Sequence, residues 1–158
     1  MQLTEKTDLA LRLLIYLTIT DEPRVSVGTI AHAFGASEAH LSKVAQALVH
    51  AGFIVSSPGR GGGVGLAKSP ESITIGAVVR QLEPMNLVEC FNLQGNCPVF
   101  GPCGLHPALR AARDAFLGVL DGATLSAAAA QRVGLRQRLF GDRRAPDHRR
   151  ADEGERES

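Results

Sequence analysis

The sequence predicts a mainly α fold with one small β-hairpin and a long interface helix toward its C-terminal end. Three observations carry that expectation. Apolar residues recur at three- and four-residue intervals in three successive segments before residue 52, with capping and breaking residues between them. Two short apolar runs flank PGRGGG at 58–63, which puts four glycines in six positions. A later segment, 106–120, repeats apolar residues at near-heptad spacing.

The elements follow in chain order. Residues 3–20 read as a helix with Leu9, Leu13, Tyr16 and Leu17 on one face, stopped by Asp21-Glu22-Pro23. Ser26 caps a short helix that carries Val27, Ile30, Ala31 and Phe34 on one side and ends at Gly35. Ser37 caps a third helix with Leu41, Val44, Ala45, Leu48 and Val49 inward, closed by Gly52. Helix, short helix, turn with Gly, helix is the helix-turn-helix layout. Residues 53–57 read as a strand and 64–67 as its return, and a hairpin directly after the motif makes a wing. Ser72 or Thr74 starts a further helix through Gln81, ended by Pro84. Residues 1–82 are therefore expected to form a winged helix-turn-helix domain.

Residues 83–105 follow as a loop rich in Pro, Gly and Asn. The helix at 106–120 shows Leu105, Leu109, Ala112, Phe116 and Val119 in near-heptad series, more apolar than a small domain needs, so it reads as a homodimer interface. Thr124 caps a short Ala-rich helix, and 106–133 forms the dimerisation unit. From Gly134 onward seven Arg and six acidic residues alternate with little apolar content, and 134–158 reads as a disordered tail.

Composition excludes several classes. The chain has 158 residues, 44% of them apolar, and a net charge of +1, so it is no polycationic nucleic-acid coat. Aromatics are 4% with no Trp, which argues against stacking platforms for single strands. No apolar run is long enough to span a membrane, and Glu5, Lys6, Asp8 and Arg12 break any signal-peptide pattern, so a cytoplasmic location is expected. No paired carboxylates or nucleophile–base pattern appears, and GRGGGVG lacks the Lys-Ser/Thr of a phosphate loop, so no enzymatic chemistry is expected.

In a winged helix-turn-helix the second helix of the motif enters the major groove, led by its N-terminal residues. Here these are Ser37, Glu38, His40, Ser42 and Lys43, with Ser26 at the head of the first motif helix. Ser and His can donate to phosphates or base edges, Lys43 can neutralise a phosphate, and Glu38 can accept from a cytosine amine or favour its own helix N-terminus. Arg60 at the glycine-rich wing tip suits a narrow minor groove. The surplus of +2 over residues 37–68 is modest, so two subunits are expected to bind operator DNA together. The bland alternative is a winged-helix scaffold used for protein contacts.

The three cysteines lie within fourteen residues as Cys90-x6-Cys97-x5-Cys103-x2-His106. An odd number of clustered thiols is a poor disulfide framework. Three thiolates plus His106 satisfy a structural zinc site. A [4Fe–4S] cluster takes one ligand per iron, so three cysteines leave a fourth iron to His106, a carboxylate or an exogenous molecule. Such an iron suits a sensor. A thiol–disulfide switch is the third option. Spacing leaves these open.

MQLTEKTDLALR, the wing GRGGGVGL, the segment SITIGAVVRQLEP and the three-cysteine loop occur in that order. Together they resemble the dimeric winged-helix repressor family that includes NsrR and IscR, over residues 1 to about 130. TDLALR and VVRQLEPMNLVEC are similar to the NsrR-type branch. The resemblance implies a homodimeric repressor holding a [4Fe–4S] cluster, or a [2Fe–2S] form, on Cys90, Cys97 and Cys103. It implies release from operator DNA when nitric oxide damages the cluster, with nitric-oxide detoxification genes as targets. The fourth ligand implied by NsrR-type proteins is Asp8 from the partner subunit; that implied by IscR-type proteins is His106. The NsrR-like surroundings favour Asp8. Two other readings keep the same fold: a regulator of iron or cluster status in the IscR manner, and a zinc-bound adaptor that contacts proteins.

Overall fold

The computed structural model describes residues 3–59, 61–85, 87–91 and 97–141. Seven helices and one hairpin run in the order α1 Glu5–Ile19, α2 Val27–Phe34, α3 Glu38–His50, β1 Ile54–Ser57, β2 Gly63–Leu66, α4 Ile75–Leu82, α5 Leu105–Asp121, α6 Leu125–Ala128 and α7 Arg132–Phe140. Short 3-10 turns at Pro70–Ser72 and Glu89–Phe91 punctuate the connections.

Local chemistry explains most boundaries. Thr4, Ser26, Ser37, Thr74 and Thr124 each accept a hydrogen bond from the backbone three residues on, which satisfies one free amide at the head of a helix. Gly35 ends α2 in the left-handed conformation, φ 63°. The first helix is the hub. It buries Leu9, Ala10, Leu13, Leu14, Tyr16, Leu17 and Ile19, and touches α3, α4, α6, α7 and β2. The remaining core comes from Ile30 of α2, Leu41, Val44 and Leu48 of α3, Ile54, Val64, Ile73, Val78 and Leu125.

The hairpin pairs Ile54 with Leu66 and Ser57 with Gly63 in antiparallel register. A third segment joins it, because Val25 and Val64 exchange backbone hydrogen bonds of 3.0 and 2.9 Å. That approach explains the wing glycines. A Cβ on Gly63 would stand 2.5 Å from the Val25 carbonyl oxygen, and one on Gly65 would stand 2.6 Å from that of Pro23. Glycine at these two positions lets the lead-in to α2 lie flat against the wing.

Two expectations are corrected. Val49 is 37% exposed, not inward, because α3 buries the narrower stripe Leu41, Val44, Ala45 and Leu48. The segment after Gly134 is not a tail throughout, since α7 continues to Phe140 and packs on α1. Its arginines are structural. Arg132 donates to the Thr18 carbonyl at 3.0 Å and Arg136 to that of Ile19 at 2.6 Å, so both satisfy free carbonyls at the end of α1. Asp21 bridges the same two guanidiniums at 2.9 and 2.7 Å. Phe140 meets Tyr16 edge-on, ring centres 5.0 Å apart. The tail expectation for 142–158 lies outside the described residues.

Helix α5 buries only Leu117. The near-heptad series stays uncovered within one chain: Leu105 and Val119 are 59% and 75% exposed, and Leu109 and Phe116 are half-buried.

Candidate nucleic-acid interface and cysteine cavity

The recognition surface is built on α3, which α1 and α2 hold from behind. Ser26 and Ser37 act first as caps, their hydroxyl oxygens accepting from the amides of Thr29 and His40 at 3.0 and 3.4 Å, and both remain exposed. Lys43 is exposed and Ser42 half-buried along the open side of α3. His40 turns back toward α1, where its Nδ1 lies 3.7 Å from Glu5. Glu38 leans over the first turn of α2, its carboxylate within 3.1–3.3 Å of where a Cβ on Gly28 would stand. Gly28 thus makes room for a carboxylate beside a helix amino end, which favours negative charge. Arg60 lies outside the described residues.

The sequence reading missed a groove of about 440 Å³ between α3 and the wing, lined by Val27, Ser42, Ala45, Gln46, Val49, His50, Ser56 and Val64. Four-residue spacing was the available signal, because Ser42, Gln46 and His50 share one ridge of the helix.

The structure gathers Cys90, Cys97, Cys103 and His106 around one cavity of about 190 Å³, walled by Val88, Val99, Phe100 and Leu105. All three thiols are free and half-buried. His106 sits edge-on between the rings of Phe91 and Phe100, ring centres 5.4 and 5.5 Å away. Arg113 of α5 stacks over the other part of this wall, its guanidinium carbon 5.0 Å from the Phe91 ring centre.

Among the described residues, no three Cys, His, Asp or Glu side chains form a group that could hold a single metal ion. One zinc draws its donors to about 2.3 Å, whereas a cluster takes one thiolate per iron. Thiols arranged around a cavity suit the multinuclear group better than the single ion. Asp8 does not line this cavity; on α1 it pairs with Arg12 at 2.8 Å, both half-exposed. Within one chain the fourth donor at the cavity is therefore His106, and Asp8 can serve only the cavity of another chain.

Two ties that the sequence did not reveal connect the loop to the DNA-binding unit. Glu83, just past α4, accepts hydrogen bonds from the Thr4 amide and hydroxyl at 2.6 and 2.8 Å. Burial raises its pKa, but hydrogen bonds from Thr7 and Thr4 and the charge of Lys6 outweigh that and hold it below the ordinary glutamate value. Arg80 of α4 makes a two-pronged pair with Asp121 at the end of α5, one prong at 2.7 Å. A Cβ on Gly76 would collide with that carboxylate. The same end is fixed by backbone bonds from Ile75 to Ala123 and from Leu125 to Ile73, both 2.8 Å.

A wing, a capped recognition helix and a long uncovered helix together define a DNA-binding regulator of the winged-helix class, with a thiol-lined cavity at the foot of α5. The family described as Rrf2, iron-dependent transcriptional regulator, matches residues 3–131. This chain belongs to the Rrf2 family, whose fold is that of DNA-binding transcriptional regulators and not of enzymes. The HTH-type transcriptional regulator NsrR of Geobacillus kaustophilus is 46% identical over 142 residues, 88% of this chain and 97% of the relative. NsrR of Bacillus subtilis is 43% identical over 128 residues, 79% and 88% of the two chains. Among solved structures, CymR (YrzC), the global cysteine regulator of B. subtilis, aligns with a TM-score of 0.65 at 31% identity, covering 83% of this chain and 98% of that one. T. potens IscR has the same fold, with a TM-score of 0.66 at 24% identity over 83% of this chain and 88% of its own. No helix among the described residues is long and apolar enough to cross a membrane.

Proposed function

We propose that this regulator is a homodimeric repressor of the NsrR type, whose grip on operator DNA depends on an iron–sulfur cluster at the cysteine cavity and ends on exposure to nitric oxide. The observation that carries the reading is the cavity itself, three half-buried thiols and apolar walls at the foot of the long helix. Cys90, Cys97 and Cys103 would hold a [4Fe–4S] cluster, a [2Fe–2S] form being the smaller alternative, with the partner subunit's Asp8 as fourth ligand. When bound, the cluster supplies iron that nitric oxide can attack.

The protein's own residues provide the coupling. Val88, Val99, Phe100 and Leu105 keep water from the thiols. Glu83 ties the start of the loop to the head of α1, one turn before Asp8, and Arg80–Asp121 ties α4 to the far end of α5. A loop that loses its anchor therefore disturbs α1, which carries α3 on its other side. The uncovered apolar series on α5 supports a second copy as partner, and two recognition helices set a half-site spacing of about one helical turn.

The test is release from a selected operator. Nitric oxide should release the anaerobically purified protein, while an iron chelator on the same time scale should not. The reverse result would favour the iron- or cluster-status reading, which has its own support in His106 at the cavity. The zinc-bound adaptor predicts zinc without iron or sulfide on elemental analysis, and no operator.

A further inference from the structure

The groove between the recognition helix and the wing carries an inference that rests on the DNA-binding reading alone and not on any cluster. Glu38, Ser42 and Gln46 follow one another at four-residue spacing on a single ridge of α3. The upper end of that ridge leans on Gly28 at the head of α2, and its lower part borders the groove beside the wing. The opposite stripe of α3 is core, so this ridge has a fixed outward direction. Gln46 is exposed, and among the described residues its amide makes no hydrogen bond. Beside it, Val27, Val49 and Val64 line the groove with apolar surface.

We infer that Gln46 is a specificity-determining residue that reads adenine in the major groove, with the valine-lined groove beside it taking the thymine methyl. A primary amide both donates and accepts, which matches the N6 donor and N7 acceptor of adenine in a bidentate pair. The A·T pair also presents the C5-methyl group, which G·C lacks, and a valine surface favours it. Guanine would call for Arg or Lys and cytosine for a carboxylate, and the groove is lined by neither. The occupant is duplex DNA because the groove is continuous with the recognition helix, sharing Ser42 with it.

Selection from a randomised DNA duplex pool tests this, using full-length protein purified without oxygen, with circular dichroism to check that the variants fold. The native protein should fix an A·T pair at one position in each half-site. Gln46→Ala should bind that site roughly 5–150-fold more weakly and lose the preference there, as expected for one bidentate base contact. Gln46→Glu should shift the preference toward C·G, a change that no purely structural role would produce. Unchanged base preferences in both variants, including uniformly weaker binding, would overturn the inference. If the native protein enriches no sequence, the DNA-binding reading beneath it fails instead.

Discussion

The side chains nearest the DNA divide into those that face outward and those that the fold has recruited. Ser26, Ser37, Glu38 and His40 stand at the positions the sequence marks for contact, yet capping, Gly28 and Glu5 each claim part of them. Sequence identifies a helix amino end well and the direction of its side chains poorly, because direction depends on a neighbouring helix whose approach has no local signature. The same limit applies at the cavity. Spacing named three cysteines and His106, and the fold brings all four to one cavity, but it could not say that Asp8 lies elsewhere in the same chain. Replacing Cys90, Cys97 or Cys103 singly by Ala should abolish the visible absorbance of protein purified without oxygen; retained colour would remove that residue from the ligand set. Asp8→Ala should alter the spectrum and the nitric-oxide response, whereas His106→Ala should alter them little. If only the histidine variant changes, the fourth ligand is within the chain.

At the scale of elements, the motif helices, the wing and the long helix were legible because caps, periodicity and glycines all agreed. The last helix was not, because its arginines read as tail composition while their work is to satisfy the carbonyls ending α1. Phe140→Ala should destabilise the protein by about 0.5–1.5 kcal/mol from the lost edge-to-face pair with Tyr16, plus its packing, measured by urea denaturation. No change would mean that α7 is not docked in solution. The wing makes a sharper demand. Gly65→Ala forces a Cβ against the Pro23 carbonyl oxygen and should cost about 1–3 kcal/mol, with weaker operator binding as the hairpin shifts from α2. A fully stable, fully binding variant would show that the close approach of Val25 and Val64 is not needed.

For the whole molecule, acid stability and ligand response follow from the ties between parts. Glu83, Asp21 and Asp121 are all held below their ordinary pKa, Asp21 chiefly by the Arg136 hydrogen bond and Asp121 chiefly by that of Arg80. Their folded values are depressed, so their contribution is complete above the unfolded carboxylate range and is lost as pH falls through the folded values. The melting temperature should be flat near neutrality and drop below roughly pH 4, and Glu83→Gln should reduce that drop. The sequence could not reveal these ties, since Thr4 and Glu83 are 79 residues apart and Arg80 and Asp121 are 41. They matter because they join the cysteine loop to the helix that carries the recognition surface. The central claim is that the cavity's cargo sets DNA occupancy. Its most direct measurement is an anaerobic nitric-oxide titration that follows visible absorbance and operator occupancy in the same sample. The account predicts that colour and occupancy fall together at the same ratio of nitric oxide to cluster. Occupancy that persists after the colour has bleached, or that falls on nitric oxide in a colourless, iron-free protein, would contradict it.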